Sequence, residues 1–399
     1  MKLNFLIILI ITISFSALAQ HPAPPPGVIQ KGIKFIDPDS AFSIDFRFRM
    51  QNRAVFNAVT LGSPEISEIE ARVRRLRLRM EGFMYSPKLT YMVQLSFSRG
   101  DMDWSVRHNS QVNESPNVVR DAAIYYRPNQ RFQFIFGQTK LPGNRQRVIS
   151  SGEQQFVDRS IVNALFNIDR DFGFQVYYFN NTRNFHYILK GALTTGDGRN
   201  VTLTNAGLSY TGRVEVYPLG NFTNYGDTFE GDLEREQTVK IALAGGLSYN
   251  DKARRTGGQI GGDLFEMRDI TTFIFDGLLK YRGYSLYVEY MQRNSNNPFT
   301  TAPGGELRHV ITGNGKLFQN AYLFSNNFEI AARYANIRPG DLLTELEANE
   351  DVYTAGVTKY LRRHRLKVQG NVSFHNLNGV VMEQNSAFWS GAFQVELGI

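Results

Sequence analysis

The sequence predicts an all-β fold, a transmembrane antiparallel β-barrel of about sixteen strands that follows an N-terminal signal peptide. Three observations support this prediction. The chain begins with an apolar export signal, and polar and apolar residues alternate along most of its length. Aromatic residues make up 13% of the chain although its mean hydropathy is only −0.30. A membrane barrel accounts for all three, because its strands turn apolar side chains towards lipid and polar side chains towards the lumen, with aromatic girdles at both interfaces.

Residues 1–19 have the features of a secretory signal peptide. Lys2 precedes an apolar run that ends in Ala17-Leu18-Ala19, a small-residue pattern typical of a cleavage site. A membrane anchor helix is the alternative interpretation, but it needs roughly 20 predominantly apolar residues. We therefore expect cleavage before Gln20 and export through the Sec pathway.

Composition narrows the class of protein and its partners. The chain contains no cysteine, which excludes disulfides, thiolate metal sites and cysteine-based catalysis. A closed barrel needs no such cross-links, since its backbone groups are satisfied between strands. Lys and Arg outnumber Asp and Glu by 44 to 37, giving a formal net charge of +7. An excess of positive charge favours binding to nucleic acid, anionic lipid or anionic solutes. Because the chain is expected to be exported, nucleic acid is not an expected partner.

After the signal, the chain divides into a lead-in and one barrel domain. Residues 20–40 contain prolines at positions 22, 24, 25 and 26, which predicts an extended periplasmic segment. Alternation with a period of two begins near Ser43 and recurs to the C-terminus, which predicts a barrel over residues 41–399. The predicted strands lie near residues 43–52, 72–86, 88–99, 117–128, 131–140, 171–180, 183–194, 204–218, 238–250, 269–281, 284–294, 315–325, 328–337, 351–362, 365–376 and 387–399.

The connections alternate between short and long, which is typical of bacterial outer-membrane barrels. Short turns are predicted at residues 87–88, 128–130, 180–183, 282–283, 325–327 and 362–364, and long loops at 53–71, 100–116, 141–170, 251–268, 295–314 and 338–350. An even strand count places both termini on the short-turn, periplasmic side. Residues 219–237 break this rule, because the connection is long yet should be periplasmic, which leaves an additional hairpin there as an alternative.

The last predicted strand alternates strictly. Its apolar residues share one parity, with Gln394 and Glu396 on the other; they are Trp389, Phe393, Val395, Leu397 and Ile399. A barrel removes its free edges by pairing the final strand with the first. We therefore expect residues 387–399 to pair with the strand that begins near Ser43.

Several segments carry a family resemblance through their order and spacing. They are KGIKF, FSIDFRFRMQNR, RRLRLRMEGFMYSPKLTYMVQLSFS, RDAAIYYRPNQRFQFIFGQTKLP, GEQQFVDRSIV, DRDFGFQVYY, EIAARYANI and YTAGVTKYLRRHRLKVQGNVSF. Together they resemble the phosphate-selective porin O and P family, especially members from the Bacteroidetes, over nearly all of the exported chain. The resemblance implies a porin of the Gram-negative outer membrane. Such a protein passes small solutes by passive diffusion, with small anions such as phosphate preferred.

The resemblance also implies partners, and the chain departs from the family pattern at two places. Sixteen-stranded porins of this kind commonly form homotrimers, contact outer-membrane lipids and are inserted by the barrel-assembly machinery, which reads a terminal Phe. Here Ile399 keeps the apolar position without the ring. After Lys140 the family usually has Pro-Phe-Gly, whereas this chain has Leu-Pro-Gly-Asn over residues 141–144.

A file of arginines is the first candidate site for anions. It consists of Arg47 and Arg49 on one predicted strand and Arg75, Arg77 and Arg79 on the next. We expect all five to face the lumen, because an arginine on the lipid face near the midplane would cost about 2 to 4 kcal/mol. Such a file would attract anions and repel cations. The alternative is a mixed lumen wall in which Asp45 and Glu81 neutralise the arginines.

The loop over residues 141–170 is the second candidate site. Its basic candidates, together with the end of the preceding strand, are Lys140, Arg145, Arg147 and Arg159. The resemblance implies that this loop folds inward and narrows the pore, with Asp158-Arg159-Ser160 matching the acid-Arg-Ser triplet of the family. The residues alone favour a solvated surface loop, because charged loops are usually exposed.

Other functions have weaker support in the sequence. A non-conducting barrel that serves as a scaffold or adhesion partner is the main alternative, followed by an outer-membrane lipid hydrolase. Ser373 and His375 share one strand parity, but a catalytic dyad is recognised by its geometry and the sequence places no third partner. The six histidines show no metal-ligand spacing. We therefore predict no enzyme activity, metal or cofactor.

Overall fold

The computed structural model describes residues 32–39, 41–58, 66–98, 118–181, 185–201, 207–379 and 386–399. The predicted signal peptide and most of the predicted lead-in lie outside these residues. Within the described ranges, no helix is long and apolar enough to cross a membrane.

Strands make up most of the fold. In chain order they are β1 (Ile33–Ile36), β2 (Ser43–Ala58), β3 (Ile66–Met84), β4 (Ser86–Ser96), β5 (Val119–Tyr126), β6 (Phe132–Lys140), β7 (Arg170–Asn181), β8 (His186–Thr194), β9 (Ser209–Tyr217), β10 (Lys240–Arg255), β11 (Asp263–Tyr281), β12 (Tyr284–Asn294), β13 (Phe299–Thr301), β14 (Leu307–His309), β15 (Gly313–Leu323), β16 (Phe328–Pro339), β17 (Asn349–Arg362), β18 (Leu366–Asn378) and β19 (Ser386–Gly398). The helices are α1 (Arg145–Val148) and α2 (Ile161–Phe166), with 3₁₀ turns at Thr223–Thr228 and Asp341–Leu343.

Sixteen of these strands form the closed antiparallel barrel that the sequence predicts. β13 and β14 form a separate two-stranded hairpin. The predicted closure is confirmed, because β19 pairs with β2 from Ser390 opposite Asn57 to Gly398 opposite Arg49. β1, within the predicted lead-in, pairs with the start of β2, from Ile33 opposite Phe46 to Ile36 opposite Ser43.

Alternating burial shows which face of each strand is the interior. In β9, Ser209, Thr211, Arg213 and Glu215 are buried, whereas Tyr210 and Val214, on the opposite parity, are exposed. Side chains alternate across a strand, so the polar parity faces inward and the apolar parity faces outward. The exposed apolar face is the surface that lipid covers in a membrane barrel.

One predicted turn is misplaced by two residues. The sequence predicts a turn at Pro87-Lys88, but β3 and β4 are joined at Tyr85, which has a φ of 61°. The register passes from Met84 opposite Ser86 directly to Phe83 opposite Thr90. Pro87 and Lys88 therefore lie in a bulge of β4, where the missing N–H of proline costs no ladder hydrogen bond.

Two predicted outer loops are partly strand. β2 continues to Ala58 and β3 starts at Ile66, within the predicted loop 53–71, while β10 and β11 extend into 251–268. These extensions carry charged residues such as Arg53 and Glu70, so the apolar alternation that marks a lipid-facing strand is lost there. Strands that project beyond the bilayer can pair without an apolar face, which is why the pattern ends before the pairing does.

Candidate functional site

Residues 141–169, which we call the inner loop, fold into the barrel as the family resemblance implies. Arg145 Nε donates to Asp276 Oδ1 on β11 at 3.0 Å, and Arg213 of β9 lies 2.7 Å from Asp276 Oδ2. Asp276 is fully buried, and Arg145 is only 5% exposed. Burial opposes the charge, but Asp276 and Glu215 hold the pKa of Arg145 well above its usual value. Arg145 is thus an anchor of the loop on the far wall.

Apolar packing supports the same inward fold. Val162 and Phe166 of α2, with Leu141 and Ile168, pack on a cluster that includes Met291 of β12. A Cβ atom at Gly315 would lie 2.9 Å from Val162 Cγ1, which explains why the wall has glycine at this close approach. Ser160 caps α2 by accepting a hydrogen bond from the backbone N–H of Asn163.

The arginine file contacts the middle of the inner loop. Arg49 donates to Ser150 Oγ at 3.0 Å and to Ser151 Oγ at 2.7 Å. Arg77 donates to Ser151 Oγ at 3.1 Å. Arg49 also lies 3.8 Å from the Glu396 carboxylate of β19. These two arginines lie on the interior face and connect the wall to the loop.

The other members of the file have acidic neighbours, as the mixed-wall alternative describes. Arg75 lies 3.6 Å from Asp158 of the inner loop, and Arg53 forms an ion pair with the same carboxylate. Arg47 contacts Asp45 at 3.1 Å and also pairs with Glu81. Arg79 donates to Glu81 Oε2 at 2.9 Å. Arg47 and Arg79 are the most open of the five, with side chains 33% and 37% exposed.

Three basic residues surround the turn between α1 and α2. Lys140 donates to the backbone oxygen of Val148. Arg159 donates to the backbone oxygens of Gln146 at 2.7 Å and Ile149 at 2.8 Å. Arg147 instead pairs with Asp169. Burial would raise the pKa of that carboxyl, but Arg147 and Arg170 hold it well below its usual range.

A second interior segment, residues 218–239, is the feature that the sequence missed. We call it the plug segment. It joins β9 to β10 without a further hairpin, so the strand count is unaffected. It enters the barrel from the short-turn side and meets the inner loop: Glu230 N donates to Glu153 O, and Gln155 N donates to Glu230 Oε2, both at 2.9 Å. Its unusual length on the periplasmic side was the only signal in the sequence.

Charged side chains hold the plug segment against the short-turn rim. The Lys280 ammonium, fully buried on β11, donates to the backbone oxygens of Gly226, Phe229 and Gly231. Asp232 Oδ2 accepts from Gly283 N at 2.7 Å. A larger set of contacts ties the segment to other turns: Arg235 to the oxygens of Leu323 and Phe324, Glu234 to Arg363, and Phe229 to the ring of His364.

The inner loop and the plug segment both lie inside the barrel and contact its wall and each other. Their wall partners lie mainly on β2, β3, β9 to β12 and β15 to β19. On the interior faces of β3 to β8, partly exposed side chains include those of Arg79, Tyr125, Tyr177 and Lys190. Arg79 pairs with Glu81, and Lys190 pairs with Glu215 at 2.8 Å.

Comparison with known proteins agrees with this architecture. The family model of phosphate-selective porin O and P matches residues 44–376. No curated protein matches the chain by sequence. The outer-membrane channel DcaP of Acinetobacter baumannii is similar in fold with a TM-score of 0.57 at 8% identity, over 92% of this chain and 99% of that chain.

Two other solved structures show the same fold. An anion-selective porin from Comamonas acidovorans aligns with a TM-score of 0.53 at 13% identity, over 90% of this chain and 100% of that chain. OmpT of Vibrio cholerae, in a trimer form, aligns with a TM-score of 0.50 at 12% identity over the same fractions. The closed barrel, the outward apolar face and the match to most of the chain lead to one conclusion: this chain belongs to the phosphate-selective porin O and P family and is an outer-membrane porin.

Proposed function

We propose that this porin passes small anions, phosphate among them, in preference to cations. The observation that carries the proposal is a pair of cations, Lys140 and Arg159, whose hydrogen bonds go to backbone carbonyls. Such bonds fix the side chains without cancelling their charge, and a fixed positive field in a narrow lumen concentrates anions.

The surroundings of Arg159 support an excess of positive charge at this point. Burial lowers the pKa of Arg159 well below its usual value, and the positive charges of Arg147 and Arg75 lower it further. Arg147 and Arg75 thus lie close enough to act on Arg159, and Glu230 partly opposes them. The family's phosphate selectivity and the similarity to an anion-selective porin favour the same class of solute.

Ion selectivity tests this proposal. In a planar bilayer with a salt gradient, we expect the unmodified protein to favour chloride over potassium, most strongly at low salt, because salt screens the field over about 10 Å at 0.1 M. The double variant Lys140→Gln/Arg159→Gln keeps polarity at both positions and removes the two charges on which the proposal rests. Its reversal potential should shift towards potassium.

A matched control distinguishes the effect of a charge inside the lumen from the effect of the protein's net charge. Arg338→Gln also removes a positive charge, but Arg338 pairs with Asp351 near the long-loop rim, at 2.9 Å. It should leave the reversal potential unchanged. The proposed anion preference would be refuted if the unmodified pore prefers potassium. It would also be refuted if the double variant has the same reversal potential as the unmodified protein.

A non-conducting barrel is the second candidate, and one observation favours it: the inner loop and the plug segment enter from opposite rims and meet inside the barrel. A scaffold or adhesion role would then reside in the outer loops. The bilayer measurement distinguishes the two, since a scaffold would show no ion-conducting steps.

We further propose a homotrimer, as found for OmpT in its trimer form. Exposed rings of β6 and β7 contact one another on the outer surface, with Phe136 and Phe172 centroids 5.4 Å apart and Phe136 and Phe174 centroids 5.8 Å apart. A rigid apolar patch of this kind suits a symmetric subunit contact. Native mass measurement in mild detergent should give three chains, and a single chain under all mild detergents would contradict the assembly.

A further inference from the structure

We propose that the lumen near the long-loop rim carries a serine esterase site formed by Ser390, His375 and Glu350. Ser390 is the nucleophile, His375 the general base, and Glu350 the residue that positions the imidazole. The proposal is independent of ion selectivity, because none of the three residues belongs to the basic sites described above. The substrate class is a small carboxylic ester that can enter the barrel from outside.

The three side chains form a continuous hydrogen-bonded chain. Ser390 Oγ lies 3.3 Å from His375 Nε2, and His375 Nδ1 lies 2.9 Å from Glu350 Oε1. Glu350 accepts a hydrogen bond from Nδ1–H, so Nε2 presents its lone pair to the Ser390 hydroxyl. This is the nucleophile, base and orienting acid arrangement that defines a catalytic triad by geometry, whatever the order in the chain.

The strand register explains why these residues meet. Glu350 lies at the start of β17, His375 near the end of β18 and Ser390 near the start of β19, so all three approach the long-loop rim. His375 pairs with Phe388, and the two rings stack with centroids 4.4 Å apart and an angle of 5°. This stacking fixes the plane of the imidazole. The side chains of His375 and Glu350 remain 18% and 22% exposed, so a solute in the lumen can reach them.

The reaction follows from these positions. Ser390 Oγ bonds to the ester carbonyl carbon while its proton passes to His375 Nε2, and the carbonyl oxygen takes the negative charge. The bond from carbon to the alcohol oxygen then breaks, and His375 returns the proton to the leaving alcohol. Water, deprotonated by His375, cleaves the acyl-Ser390 ester and restores the serine. Ester and water give acid and alcohol, with no other reactant.

The chain provides its own matched control. Ser373 of β18 is directly opposite Ser390 and lies on the same interior face. Its hydroxyl instead shares a hydrogen bond with Thr354 Oγ1 at 3.0 Å, and Ser373 is 6% exposed. Ser390 and Ser373 both face the lumen, but only Ser390 contacts His375. If reactivity depends on the histidine, Ser390 should react and Ser373 should not.

The first experiment uses purified full-length protein in detergent and a fluorophosphonate probe, with the labelled peptide identified by mass spectrometry. We expect the probe on Ser390, no labelling of Ser390→Ala or His375→Gln, and normal labelling of Ser373→Ala. The conductance of each variant in a bilayer checks that the barrel has folded. Absence of label on a folded, conducting unmodified protein would overturn the proposal, as would equal labelling of Ser390→Ala.

The second experiment measures turnover of p-nitrophenyl butyrate. Ser390→Ala should lower the rate by at least about 100-fold, since loss of a triad member can cost up to roughly 10⁴-fold. Glu350→Gln should lower the rate and also change its pH profile, because an uncharged amide does not stabilise the imidazolium that forms when the Ser390 hydroxyl gives up its proton. A rate that is unchanged in Ser390→Ala, or a Glu350→Gln variant with the pH profile of the unmodified protein, would reduce the three residues to a structural network.

Discussion

Replacement of residues 218–241 with Asn-Gly is expected to raise single-channel conductance at least about twofold, because conductance follows the open cross-section of a water-filled barrel. The replacement removes the plug segment and joins Tyr217 to Ala242. These residues continue the register in which Val216 is opposite Leu243, and Asn-Gly favours a tight hairpin turn. The barrel keeps its sixteen strands, with β10 shortened by Lys240 and Ile241, while one of the two interior segments is lost.

A single substitution tests the attachment of the plug segment. Lys280→Met keeps the length of the side chain but removes the ammonium that donates to three plug-segment carbonyls. We expect larger or noisier current steps from this variant. Lys359→Met is the control, because Lys359 lies near the same rim and donates to Asn326 O at 2.7 Å, outside the plug segment. Currents that match the unmodified protein after the full replacement would show that the plug segment does not limit conduction.

Asp276→Asn is expected to have the largest effect on the inner loop. The substitution leaves the guanidinium of Arg145 buried beside a neutral amide, whereas Arg213 keeps the Glu215 carboxylate at 2.7 Å. Breaking a buried ion pair from one side typically costs about 3 to 5 kcal/mol, because the remaining charge has lost its compensation. We expect a lower melting temperature by circular dichroism and new tryptic cleavage after Arg145 or Arg147, which the folded loop protects.

A surface ion pair provides the comparison for this variant. Glu266→Gln breaks a pair with Arg268 in which the glutamate side chain is 61% exposed. Exposed pairs contribute about 0 to 1 kcal/mol, so its melting and proteolysis should match the unmodified protein. If Asp276→Asn resists trypsin and melts at the same temperature as the Glu266→Gln control, Asp276 does not anchor the loop.

Sequence alone determined the barrel, and the reason is local. Side chains alternate across every strand, so one lipid-facing surface imposes a period of two on the residues themselves. That pattern placed all sixteen barrel strands, and the apolar parity of the last one correctly implied pairing between residues 387–399 and the first barrel strand. The alternation did not predict the strand ends at Ala58 and Ile66, where apolar contact with lipid stops. It also placed a turn at Pro87, whereas the chain turns at Tyr85.

Only the tertiary structure decided what fills the barrel. The family resemblance implied that residues 141–170 fold inward, but not that Arg145 would find Asp276, 131 residues away. The length of residues 219–237 marked an anomaly without showing that Glu230 reaches the inner loop. Likewise, Ser373 and His375 share a parity, yet the partner of His375 is Ser390 of the next strand. Such contacts depend on strand register and on closure of the barrel, which bring distant residues to one interior face, whereas alternation reports only the face on which each residue lies.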